Sequence, residues 1–349
     1  MMEWKPGIYR PARYHGKSKR PPFFERWYYK IVDRHQKERV AVIPGILKHS
    51  RESFAFIRIM DAVQGKTKTK SYPLHDCRAK SERFEMVVGA SLFTDRLFSL
   101  NVSGIHDIKG ELMLRGIQPW PVRWYSPGAM GPFAFLPFMP RYHAVLSMDH
   151  ELEGNLILGG REIDFTGGRG YVDKEWGRAF PEAWIRMQSN HFETAGTSFC
   201  ALLTKTLWMR RPFRSLIAAL LHEGKWVPFT TYQGGSVTDL RIYNDYVIMV
   251  LRQDSWDLEI LAERSEDGGL MVPLQEAFTR LDQKCLNGEI RLRLSRKHGR
   301  RRGTVFEGTG TCAVVETGGY ENENSLSPGF VEEPATDKRH GKNQAKEIQ

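Results

Sequence analysis

Residues 167–192 read GGRGYVDKEWGRAFPEAWIRMQSNHF, and the reading of this stretch decides the fold. Its two halves alternate with a period of two, as strands do, and are joined by a Gly-Arg-Ala-Phe-Pro connection. In the first half Tyr171, Asp173 and Glu175 share one face, while Val172, Lys174 and Trp176 share the other. In the second, Trp184, Arg186, Gln188, Asn190 and Phe192 lie opposite Ile185, Met187, Ser189 and His191. Such a density of carboxylates, amides and indoles fits either the wall of a reactive site or a sheet with one wet face on which Trp merely packs.

Outward from this stretch the chain keeps the same rhythm. PPFFERWYYKIVD at 21–33 begins a strand with Phe23, Glu25, Trp27 and Tyr29 on one face. VAVIPGIL, SFAFIRIMDAV, RFEMVVGASLFT, LFSLNVSG and GELMLRG follow, rich in β-branched and aromatic residues and broken by turn sequences. After residue 140 a second series opens with YHAVLSMDHELEGNLILGG and runs to TVFEGTGTCAVVETG. Helix is scarce: PFRSLIAALLHEG fits a turn or two of helix or a strand, and PLQEAFTRLDQK is a weak helical candidate. The expectation is an all-β chain of two antiparallel units. It divides into a basic extended arm (1–22), an N-terminal β domain (23–117), a Pro- and aromatic-rich connector or lid (118–140), a C-terminal β domain (141–319) and a disordered tail (320–349). The connector, QPWPVRWYSPGAMGPFAFLPFMP, is too apolar to stay solvated. It reads equally as a lid over a barrel mouth or as a plug between domains.

Composition narrows the function classes. At 41% hydrophobic and 11% aromatic, the chain has the material for a core and is not a disordered polymer. Cys77, Cys200, Cys285 and Cys312 are far apart with no CxxC pair, which argues against a zinc site or disulfide framework and for a reducing, cytoplasmic setting. His143, His150 and His191 lack metal-ligand spacing, so no metal is expected. GGRG at 167–170 is not followed by a helix, so it is no phosphate loop, and no cofactor is expected. No window is apolar enough for a membrane-spanning helix, and residues 1–22 lack the apolar stretch of a secretory signal. The net charge of +10 concentrates between Arg10 and Lys30 and again in RLRLSRKHGRRRG at 291–303. Three readings stand for these clusters: nucleic acid, an anionic membrane surface with peripheral attachment, or a solvated edge strand and hairpin guarded by charge. No nucleic-acid module is present, so no nucleic acid is expected as a partner.

FFERWYYK at 23–30, SPGAMG at 126–131, MDHELEG at 148–154 and above all GYVDKEWGRAFPEAWIRMQSNHF at 170–192 resemble the tocopherol cyclase family, in its bacterial tocopherol-cyclase-like branch. The resemblance covers roughly residues 14–318. It implies two lipocalin-like, calycin-type β domains around an apolar pocket. It also implies an intramolecular reaction: an alkene of a prenylated hydroquinone is protonated and the neighbouring phenol oxygen captures the cation, giving a chromanol. The implied partner is therefore a hydrophobic, prenylated small molecule. The alternative is a non-catalytic lipid carrier that keeps the pocket without the turnover. Under the resemblance Asp173 is the first candidate for the acid and Glu175 the second, each carboxyl raising the other's pKa in a dry cavity. Tyr171, Trp176 and Trp184 would offer ring faces to the cation, Gln188 and Asn190 would hold the quinol oxygens, and Glu25, Trp27 and Tyr29 would line the same or a matching pocket. The plainer reading of Asp173 is a buried ion pair, with Lys174 the partner in view. Arg26 stands where the family pattern usually has Gly, Arg186 where an aromatic is common, and Glu175 where relatives often carry Asp or Asn.

Overall fold

The computed structural model describes residues 7–80, 82–102, 104, 108–263, 286–299 and 301–320. Among them the chain is nearly all β, with three short 3-10 turns and no α-helix. PFRSLIAALLHEG resolves as strand, within Arg211–His222. The helical candidate at 273–284 and residues 321–349 of the expected tail lie outside the described residues. Tyr320, counted with that tail, is buried in a core.

Two large antiparallel sheets and a two-stranded hairpin at Val122–Pro127 account for the fold of the described residues. The first runs from Lys66–Pro73 through Ser53–Asp61 and Arg39–Lys48 to Phe23–Val32, then crosses to Arg169–Gly177, Arg141–Leu158 and Ile108–Arg115, and ends on the short strands between Cys77 and Val102. The second is centred on Ala183–Ser189, flanked by Ser198–Trp208 on one side and Arg301–Gly318 on the other. The sheets thus change over between Gly177 and Ala183. Sequence rhythm placed the division at 118–140, because the proline-rich interruption there outweighed a five-residue link. Yet Arg141–Leu158 and Arg169–Gly177 pair with the first sheet.

Alternation sorts the side chains into three cores. Trp27, Tyr29, Ile31, Phe93, Phe98 and Val172 fill the inside of the first sheet. Ile185, Met187, Phe199, Phe229 and Val247 fill the inside of the second. Tyr28, Ile43, Met148, Tyr171, Cys200, Ile217 and Val314 form a third layer where the two sheets meet. Arg169–Gly177 and Ala183–Ser189 are buried on both faces for this reason: one face looks into its own sheet and the other toward the opposite sheet. The close approach shows at Ser198 of the second sheet, whose Oγ donates to the Met148 carbonyl of the first at 2.6 Å.

The arm at 1–22 is less extended than expected. From Gly7 to Gly16 it is mostly half-buried against the first sheet, where the Ala12 carbonyl accepts from Trp27 Nε1 at 3.0 Å and His15 stacks on Trp176 at 4.4 Å, while residues 17–22 are exposed. The basic run at 291–302 is not an edge. Gly288–His298 lies inside the second sheet, and Arg291, Arg293 and Arg302 meet carboxylates of neighbouring strands, among them Glu263, Glu307 and Asp257.

Candidate functional site

The pairing of Phe23–Val32 with Arg169–Gly177 sets Tyr28 beside Asp173, Arg26 beside Glu175 and Lys30 beside Tyr171. The face that the sequence grouped as Tyr171, Asp173 and Glu175 looks toward the second sheet, which presents Arg186, Gln188 and Asn190 to it. The opposite faces carry Glu25, Trp27 and Tyr29 with Val172, Lys174 and Trp176, inside the first sheet. The expected residues therefore fall on two sides of one sheet and do not form one pocket.

Between the sheets, Arg186 donates to Asp173 Oδ2 from Nη2 at 2.7 Å and from Nε at 3.2 Å, and to Glu316 from Nη1 at 2.9 Å. Its guanidinium lies 4.2 Å from the centre of the Tyr28 ring, and the Tyr171 hydroxyl donates to the same Asp173 oxygen at 3.1 Å. Glu175 is held by Arg26 Nη2 at 2.9 Å and by Arg141, with His143 Nδ1 3.7 Å away. Burial alone would push the Glu175 carboxyl up, but Arg141, Arg26 and His143 hold it well below the ordinary carboxylate range. The expectation that Asp173 and Glu175 repel one another in a dry cavity is thus corrected. Each has its own guanidinium, and a Glu175 held ionised has no proton to give. Arg26 and Arg186, two of the departures from the family pattern, do this together with Arg141. Lys174 does not pair with Asp173 either: it binds Glu25 at 2.6 Å and lies 4.6 and 4.7 Å from the Trp27 and Trp176 ring centres. Burial lowers Lys174 to about 8, with Glu25 opposing the shift.

One interior cation lacks a carboxylate partner among the bonds described. Lys30 Nζ, fully buried, donates to Gln188 Oε1 at 3.0 Å and to Asn190 Oδ1 at 3.3 Å. Burial brings it down to about 7, and Arg186 and Arg39 add to the effect. The Asn190 amide bridges onward to Asp149 Oδ1 at 3.0 Å and to the Gly170 carbonyl at 2.9 Å. Gln188 and Asn190 are therefore engaged in holding the two sheets together. Trp184 is 8% exposed and packs over Gly318, where a Cβ would meet its ring at 2.4 Å.

A cavity of about 410 Å³ lies elsewhere, between the inner face of the first sheet and residues 117–129. Tyr29 and Val172 form part of its wall, Trp120 and Ala129 come from the Pro-rich segment, and Arg10 and Asp95 also line it. Of the site residues expected from the sequence, only Tyr29 lines it. That tyrosine is 1% exposed, and its hydroxyl has no hydrogen-bond partner. Burial, with the Asp95 charge, raises its phenol well above the ordinary value, so it stays a neutral donor. The consecutive residues Ala144, Val145, Leu146 and Ser147 all reach the cavity, which a regular strand cannot do. The register of Arg141–Leu158 slips between Val145 and Ser147 and again before His150, and these irregularities re-aim the side chains. The signal was present in the sequence as three adjacent apolar residues, Ala144-Val145-Leu146, that break a period of two.

An antiparallel β wall around an apolar cavity, with a proline-rich segment over it, defines a lipocalin-like β architecture. The chain belongs to the tocopherol cyclase-like family, whose model matches residues 106–319. Over 232 residues, 62% of this chain and 48% of the relative, it is 25% identical to the Oryza sativa subsp. japonica protein "Probable tocopherol cyclase, chloroplastic". It thus spans about half the length of that curated relative. Among solved structures it is similar to a Nitrosomonas europaea protein provisionally named AttH, with TM-score 0.53 and 16% identity over 87% of this chain and 98% of that one. It is also similar to CghA with Sch210972 bound, with TM-score 0.54 and 10% identity over 85% and 88%. At these identities the structural likeness establishes the shared fold.

Proposed function

We propose that the chain is an enzyme that isomerises an apolar, oxygen-bearing substrate, and that the substrate is a prenylated hydroquinone closed to a chromanol in the cavity beneath residues 117–129. The observation that carries this reading is a largely apolar cavity with Tyr29, whose buried hydroxyl lacks a hydrogen-bond partner, among its lining residues. A buried hydroxyl without a partner costs roughly 1–3 kcal/mol, a cost that a ligand oxygen in hydrogen-bond reach removes. Tyr29 thus orients the quinol, and Trp120 and Val172 exclude water that would trap a tertiary cation as an alcohol. Asp95 is the carboxyl in the described cavity wall. In the proposed step a proton relayed through Asp95 adds to the alkene, the phenol oxygen bonds to the resulting cation, and the phenol proton leaves through the same carboxylate. No electron is gained or lost overall.

A second reading, a lipid carrier without turnover, is favoured by one fact: Asp95 is exposed at the rim, where water can reach a cation formed beside it. Anaerobic incubation with geranylhydroquinone, followed by mass spectrometry, separates the two. The cyclase reading expects a chromanol of unchanged mass and new retention, lost in Asp95→Asn and weakened in Tyr29→Phe. Tight binding with no product supports the carrier. Product at the parent rate from Asp95→Asn removes Asp95 from the mechanism.

A further inference from the structure

The cavity opens beside a surface that the reaction does not use. The three most exposed large apolar side chains described are Phe138 (82%), Trp124 (72%) and Met209 (66%). They stand at three separate turns: Trp124 in the hairpin Val122–Pro127, Phe138 after the turn Gly131–Phe135, and Met209 in the two-residue link between Ser198–Trp208 and Arg211–His222. Two of the three are placed against local preference. Phe138 has φ +59°, and Met209 and Arg210 have φ +51° and +65°, conformations in which Gly or Asn is favoured. A turn that spends backbone strain to expose a bulky apolar tip points to a use for that tip.

The three turns form one surface. The Tyr9 hydroxyl donates to the Trp124 carbonyl at 2.7 Å, and the Tyr9 ring lies 6.1 Å from that of Phe135. Trp208 Nε1 donates to the Pro137 carbonyl at 2.9 Å, joining Phe138's turn to Met209's. The segments that carry them hold charge of one sign. Residues 118–140 contain Arg123 and no carboxylate, and residues 204–214 contain Lys205, Arg210, Arg211 and Arg214 and no carboxylate. Val122 belongs to both places, half-exposed on this surface and lining the cavity.

We propose that this face docks on an anionic lipid bilayer, with Trp124, Phe138 and Met209 entering the interface and Arg123, Arg210 and Arg211 meeting lipid headgroups. The docking surface goes beyond the cyclase reading and serves an enzyme or a carrier alike. It differs from the basic runs at 10–30 and 291–302 singled out by the sequence. The choice of a bilayer over a protein rests on three highly exposed apolar tips at separate turns, carried by segments whose charged side chains are all cationic.

Flotation of the full chain with vesicles tests it, using phosphatidylcholine alone and phosphatidylcholine mixed with phosphatidylglycerol. Binding is expected to the mixed vesicles and to fall as salt rises. Arg210→Ser with Arg211→Ser should lower partitioning by roughly tenfold or more. Trp124→Ser, Phe138→Asn and Met209→Asn together should lower it comparably, and Asn suits the positive φ at both turns, so folding is preserved and can be checked by thermal unfolding. Absence of binding to either vesicle overturns the proposal. So does binding that ignores headgroup charge and both sets of substitutions. A dimer by light scattering that dissociates on the apolar substitutions would assign the face to a second copy of this chain and overturn it equally.

Discussion

Replacing Asp173 by Asn separates a brace between sheets from a catalytic acid. The substitution keeps the shape and one oxygen acceptor but removes the charge that faces Arg186. Three bonds converge on Asp173 Oδ2: two from Arg186 at 2.7 and 3.2 Å and one from the Tyr171 hydroxyl at 3.1 Å. A hydrogen bond to a charged group contributes about 1.5–3 kcal/mol against about 0.5–1.5 for a neutral one, so three weakened bonds lose at most about 3–4.5 kcal/mol, and less because the Arg186 donor keeps its charge. The loss stays at or below the roughly 3–5 kcal/mol of a fully broken buried pair, because Arg186 keeps Glu316 at 2.9 Å. Urea unfolding at neutral pH should therefore show Asp173→Asn destabilised by about 2–3 kcal/mol at unchanged m-value. A matching apolar replacement, Asp173→Leu with Arg186→Met and Glu316→Leu, should recover much of the loss, since no buried charge is left unpaired. If Asp173→Asn unfolds within about 0.5 kcal/mol of the parent yet yields no product, the brace is wrong and Asp173 is the acid.

Two further predictions concern protons. Lys30 falls to about 7 in the fold while an unfolded lysine stays near 10.4, so between these values the unfolded chain holds a proton that the folded one lacks. Stability contributed by this site then rises with pH by up to ~1.4 kcal/mol per unit, and Lys30→Met should remove that increment from the slope of stability against pH. Lys174, lowered to about 8, gives the same sign in both proteins and leaves a residual rise. An unchanged slope would show Lys30 charged in place. His150 and His191, held neutral by burial down to about 3 and about 2, act below 6.5: there the unfolded chain takes up protons that the fold refuses, and stability drops as pH falls. The double substitution His150→Gln and His191→Gln should flatten this acid limb, and a limb of unchanged steepness would assign it to other groups.

The all-β class and the facing of individual side chains were legible because a period of two survives in a single sequence. Tyr171, Asp173 and Glu175 do share a face opposite Lys174 and Trp176. What the pattern does not carry is the partner of each face. Strand Phe23–Val32 joins Arg169–Gly177 across some 140 residues, and no local signal announces that pairing. Only that pairing reveals that Glu25 meets Lys174, and only the packing of the two sheets that Asp173 meets Arg186. Alternation likewise hides the cavity, which depends on slipped register at Ala144–Ser147, where the period fails. Arg26 and Arg186 stood out in the sequence as departures, and their effect on Glu175 and Asp173 became physical only once the distances were known.

The central claim, that ligand is held under residues 117–129 and not between the sheets, is tested most directly by filling the cavity. Ala144 is 2% exposed and lines it, and Ala144→Phe places a ring in a space of about 410 Å³. Binding of geranylhydroquinone, followed anaerobically by tryptophan fluorescence with Trp120 in the cavity wall, should weaken by at least about tenfold while unfolding stability is retained. Parent-like affinity in Ala144→Phe would contradict the account and move the ligand to the layer between the sheets.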